Sequence, residues 1–239
     1  MHSTPALLVI TVLTTALSAN SEAKAMSDPF NTTPLSAQEL RQANYVATLA
    51  LRGGETIFDG KHLGAYLLIA RSVFESAVAG AASSKSSNDR EAYLTAAYMT
   101  AYNIASNTWP GWNEGEIEDE HREMGSRFSR AHMKIVEQMN LSPGKRATAL
   151  WIGAAHELAG QNYDTARSLF TQAKSLAEED GNEEITLMNQ GWLLVVDVLQ
   201  GNSDADSDLK ELKRRLSSMS DDGKFYAGQY DGALRAFGN

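Results

Sequence analysis

Few residues in this chain have the types and spacing that chemistry requires. His156 and Glu157 open the run His-Glu-Leu-Ala-Gly, the first half of a zinc-protease motif. That motif places a second histidine one helical turn on, so that both imidazoles reach the same metal. Gly160 stands there instead, and the zinc reading fails. His156 reads better as a residue packed between two helices. Glu118 and His121 form the i, i+3 pair of helical di-iron centres, which need two such pairs and two further glutamates. No second Glu-x-x-His occurs. Glu114, Glu118 and His121 remain as a weak divalent-cation set, beside the plainer reading of an acidic, solvated helix start. Gly54 to Lys61 carries one residue too many between its glycines for a phosphate loop. His62 also follows where Ser or Thr would hold magnesium. There is no Gly-x-Ser-x-Gly elbow and no cysteine nucleophile. The expectation is a protein without catalytic residues, metal or cofactor, and not an enzyme.

What remains is surface for binding. Trp109 and Trp112 flank a Pro-Gly turn in the most distinctive loop, Thr108 to Gly115. Two tryptophans there read either as anchors for a partner, where Trp is enriched, or as caps over helix ends. Tyr98 falls off the apolar stripe of its helix and is expected to line a groove.

The elements that must position these residues are helices. Ser36 and Glu39 form a capping box that opens a helix to about Leu51, with Gly53-Gly54 as its break. A second covers about Gly60 to Ala79, with Leu63, Leu67, Ala70, Phe74 and Ala77 on one face. Asn88 or Asp89 caps a third to about Ser106, and a fourth runs from about Glu116 to Asn140. Ser142-Pro143 supplies an N-cap and a first-turn proline. Further helices cover Glu183 to Leu199 and about Asp206 to Met219. Val195 to Val198 looks strand-like but sits inside a helical window.

Between them lies Leu150 to Leu176, two helices folded back on each other. Tyr163, Ala166, Phe170, Ala173 and Leu176 step by one helix face. Gly153, Ala166 and Ala173 are small enough for close helix approach, and Gly160 is the expected terminator. Ile152, Gly153 and His156 fall where a tetratricopeptide repeat has Leu-Gly-x-x-Tyr. On these residues the stretch resembles the tetratricopeptide family over about one repeat. It departs at Ala149, at His156, by one extra turn residue and by lacking a closing proline. Gly228-Gln229-Tyr230-Asp231-Gly232-Ala233 and Phe237 echo the pattern, with Tyr230 lying 67 residues after Tyr163, close to two periods of about 34.

The resemblance implies an all-α fold of antiparallel helical hairpins stacked as a short solenoid. It also implies a groove lined by Leu150, Ala154, Glu157 and Leu158 that holds a protein or peptide partner.

Composition bounds the rest. The chain has 239 residues, 43% of them hydrophobic, and a net charge of -9. An acidic chain without a basic run is a poor nucleic-acid binder. Lys210, Lys213, Arg214 and Arg215 interleave with Glu211 and read as a solvated face. Pro5 to Ala19 has the length of a signal h-region, and Ala23-Lys24-Ala25 offers a cleavage site. The absence of cysteine excludes a lipid-anchored cysteine and a disulfide framework. The expected organisation is a signal segment 1–25, a linker 26–35, an N-terminal helical region 36–140 and helical hairpins 141–239. The expected protein is an exported, periplasmic or extracellular scaffold with no membrane span after cleavage. The alternative is a small-ligand or metal-binding helical protein.

Overall fold

The computed structural model describes residues 35–52, 63–112 and 117–238. The signal segment, the Gly53-Gly54 break, the glycine-flanked Gly54 to Lys61 loop and Glu114 lie outside them. The described elements are all helical: α1 (Ala37–Arg52), α2 (Leu63–Ser83), α3 (Ser87–Asn107), a 3-10 turn (Pro110–Trp112), α4 (Asp119–Gln138), α5 (Pro143–Ala159), α6 (Tyr163–Glu179), α7 (Glu183–Leu199), α8 (Ser203–Ser217) and α9 (Asp221–Phe237). The chain divides into two compact units after Thr100, inside α3. The boundary read from sequence at 140 therefore falls within the second unit.

In the first unit, α1 packs on α2. The Ser36–Glu39 box forms reciprocally: the Ser36 amide donates to Glu39 at 2.8 Å, and the Glu39 amide donates to Ser36 Oγ at 3.3 Å. Leu67, Ala70 and Ala77 of the expected α2 face are buried, joined by Tyr66, Val73 and Ala81. Gly80 leaves room for the Tyr93 ring, whose hydroxyl donates to Leu35 O at 3.1 Å. The cap of α3 is Ser86, whose Oγ accepts from the Asp89 amide at 3.4 Å. The helix thus starts two residues earlier than a cap at Asn88 would allow, and three earlier than one at Asp89. Among the described residues, α2 is the one helix long and apolar enough to cross a membrane by length and composition. An Arg71–Glu75 ion pair of 2.7 Å sits in the middle of it.

In the second unit, α4 to α9 each pack on the next in chain order where connected, and α9 also folds back on α7 and on the 3-10 turn. Three successive joints are built alike. Helices α5, α6 and α7 end at Gly160, Asp180 and Gln200. Each is followed by a left-handed residue, Gln161 (φ 59°), Gly181 (φ 69°) or Gly201 (φ 87°). Then comes an asparagine whose amide closes a Schellman loop: Asn162 to Glu157 O at 2.9 Å, Asn182 to Ala177 O at 3.0 Å and Asn202 to Asp197 O at 3.0 Å. The asparagines stand 20 residues apart, so two helices make a hairpin of about 40 residues, longer than the tetratricopeptide period of about 34. Gly160 ends its helix but keeps φ -82°. The strained residue is Gln161, which is the extra turn residue seen in the sequence.

The echo at the C-terminal end is not a structural repeat. Tyr163 is the first residue of α6, whereas Tyr230 lies deep inside α9. The last helix, α9, spans 17 residues, as α5, α6 and α7 do. Gly153 also serves a different neighbour from the one expected. A Cβ there would meet Met133 Sδ of α4 at 2.6 Å, so the close approach is of α4 rather than α6.

Candidate functional site

Four tryptophans make up the chain's complement, and all of them meet in the second unit. Trp192 lies at the centre. Phe170 stacks on it at 5.6 Å, Trp109 meets it edge-on at 5.5 Å and Tyr230 at 5.2 Å. Trp109 is fully buried and donates from Nε1 to Ala155 O at 2.7 Å. The Tyr230 hydroxyl donates to Met188 O at 2.8 Å, and burial raises its pKa. Gly191 supplies the space for that ring.

This cluster decides the fate of the expected groove. Ala154 and Leu158 are fully buried in the same core as Trp109 and Trp192, so they are not open to a partner. Leu150 is half-buried. Trp109 fills the space beside α5, and α9 closes over α7 and the 3-10 turn. Trp109 is correspondingly a core residue and not a surface anchor. Trp112 is half-buried, donates to Ser106 O at 2.6 Å and stacks on the 60% exposed Phe225 at 6.4 Å. Sequence reasoning passed over Phe225, whose only signal was its position two residues from a glycine in an otherwise amphipathic stretch. Tyr98 is half-buried on the first unit's part of α3.

Glu157 opens onto a separate place, a cleft of about 550 Å³. The face of α4 carrying Asp119, Arg122, Glu123, Ser126 and Arg130 forms one wall. The α5–α6 turn forms another, and Phe237 at the end of α9 closes the rim. Residues 122, 126 and 130 step by one helical ridge, which is why they share this wall. The charges alternate and are engaged: Arg122 pairs with Asp119, and Arg130 lies 3.5 Å from Glu157 and donates to Ser126 Oγ at 2.8 Å. Glu157 also accepts from Asn162 Nδ2 at 2.8 Å.

His156 lies at the floor. Its Nε2 donates to Ala105 O at 2.9 Å, a bond that fixes the tautomer because a carbonyl only accepts. Nδ1 therefore carries a lone pair. It makes no hydrogen bond among the described residues, and His156 is one of the residues that line the cleft. Burial pushes the imidazole down to about 4; the Ala105 carbonyl opposes this and the Arg130 charge adds to it. The ring is neutral at ordinary pH. Gly125 makes this packing possible, since a Cβ there would sit 2.6 Å from His156 Cε1.

Among the described residues no three His, Cys, Asp or Glu side chains group as metal ligands. Glu118 precedes α4 without a side-chain cap bond, and His121 is half-exposed in its first turn. The basic residues of α8 are all paired: Lys210 with Asp206, Lys213 with Asp231, Arg214 with Glu211 and Arg215 with Glu183.

The fold defines an all-α protein of helices stacked on their sequence neighbours. No family model, curated protein or solved structure matches the chain.

Proposed function

We propose that this chain is a non-enzymatic, exported helical-repeat scaffold that holds a protein partner. Its hairpins form a divergent array with a period of about 40 residues, akin to the tetratricopeptide class but closer in length to other helical-hairpin repeats. The observation that carries the reading is the Trp112–Phe225 pair. A phenylalanine 60% exposed and stacked on a half-buried tryptophan is the kind of aromatic anchor on which binding energy concentrates. The partner surface is thus the rim of the filled groove, not its floor.

The test is capture of a partner from envelope extract with the full chain, repeated with Phe225→Ser and Glu157→Arg. Loss with Phe225→Ser alone supports the rim. Loss with Glu157→Arg alone moves the partner to the cleft. Retention by both variants sinks the reading.

A further inference from the structure

We propose that the cleft above His156 binds a neutral, hydroxyl-rich ligand of the carbohydrate type, anchored by a ligand hydroxyl donated to His156 Nδ1. The proposal does not rest on the scaffold reading.

Three features select this chemistry. The first is the floor. His156 is 5% exposed and lines the cleft, its one hydrogen bond leaves through Nε2, and Nδ1 is left as an acceptor. A buried acceptor beside a polar cavity asks for a donor, and a hydroxyl satisfies it without bringing in charge.

The second is the walls. They mix donors and acceptors at short range: Arg122, Arg130 and Asn162 offer N–H groups, and Asp119, Glu123 and Glu157 offer carboxylate oxygens. Arg122 and Arg130 each already face a carboxylate. A simple cation or anion would have to displace one partner of such a pair. A hydroxyl both donates and accepts, so it can add to the pairs without breaking them. Three carboxylates against two guanidiniums also leave little net field with which to choose an ion. A metal is disfavoured separately, because no set of three ligands exists among the described residues.

The third is size and rim. The cleft of about 550 Å³ falls in the range of small-molecule sites, about 300–1,000 Å³. Phe237 lines it and is held in place by Trp109 at 6.0 Å. A half-buried aromatic there gives the C–H face of a sugar ring an apolar surface.

The experiment is calorimetric titration of the full chain with maltose, cellobiose and N,N′-diacetylchitobiose, with spermidine and citrate as charged controls. The expected result is saturable binding of at least one disaccharide and none of either ion. Ser126→Trp, at a half-buried wall position, should then weaken binding at least about tenfold while the unfolding midpoint is kept. In 15N-labelled protein, the His156 Nδ1 resonance should move towards its hydrogen-bonded position as the disaccharide is added. The site is overturned if no disaccharide binds, or if spermidine or citrate binds instead. Full affinity in Ser126→Trp, or an unmoved Nδ1 resonance at saturation, would place any binding elsewhere and equally overturn it.

Discussion

His156 is held neutral by its surroundings, and that has a consequence for stability. In the unfolded chain a histidine titrates near 6.5, whereas burial lowers His156 to about 4 in the fold. The unfolded state therefore takes up a proton first as pH falls. Stability from the neutral ring is complete above 6.5 and is lost between 6.5 and 4. The full loss is on the order of 3 kcal/mol. Carboxylates titrate in the same window, so the informative quantity is the difference from His156→Gln, which carries no titrating ring. Urea unfolding at pH 7 and pH 4.5 should show wild type losing more stability than the variant. Equal losses would mean that the imidazole is not desolvated as the structure has it. His156 is legible in the sequence as a packing residue, and its burial agrees. The Nδ1 lone pair was not legible, because the tautomer depends on Ala105, 51 residues away.

At the scale of the element, the Schellman joints show what local sequence can and cannot say. Capping at Ser36, the proline start of α5 and the Tyr163–Phe170 stripe were legible, because each depends on residues within one or two turns. The helical nature of Val195 to Val198 was legible for the same reason. The 20-residue spacing was hidden by the change of residue at the left-handed position, Gln161 in one joint and glycine in the next two. The αL conformation costs a non-glycine residue about 1 kcal/mol. Gln161→Gly should therefore raise stability by about 0.5–1 kcal/mol. Gly201→Ala should lower it by about 1 kcal/mol, and cleanly, since no atom lies within 4 Å of the added Cβ. Thermal or urea unfolding of the two variants checks both signs. A neutral Gly201→Ala would mean that the joint relaxes out of αL. The burial of Ala154 and Leu158 was not legible for a different reason. Leu150, Ala154, Glu157 and Leu158 do share one helix, but Ala154 and Leu158 are buried in a core completed by Trp109 and Trp192, far along the chain. No periodicity in α5 records it.

The whole molecule offers a probe that follows from where its aromatics lie. The four tryptophans all belong to the second unit, and Trp192, Trp109 and Trp151 are buried together there. The first unit has no tryptophan, and its described core is dominated by alanine, leucine and valine with Tyr66. Alanine buries little area, so each such position contributes little hydrophobic stabilisation, roughly 25 cal/mol per Å² of apolar surface removed from water. The aromatic cluster buries far more per residue. The second unit should consequently be the more resistant to denaturant. Tryptophan fluorescence reads that unit alone, while circular dichroism at 222 nm reads the helices of both. In a guanidinium titration the dichroism should begin to fall at lower denaturant than the fluorescence, leaving two curves that do not superimpose. Trp109→Phe should shift the fluorescence curve to lower denaturant by shrinking the core and leaving Ala155 O without its donor, at about 1–3 kcal/mol. The early dichroism phase should stay where it was. Superimposable curves in wild type, moving together in Trp109→Phe, would show the chain unfolding as one cooperative body and would overturn the assignment of separate stabilities to the two units.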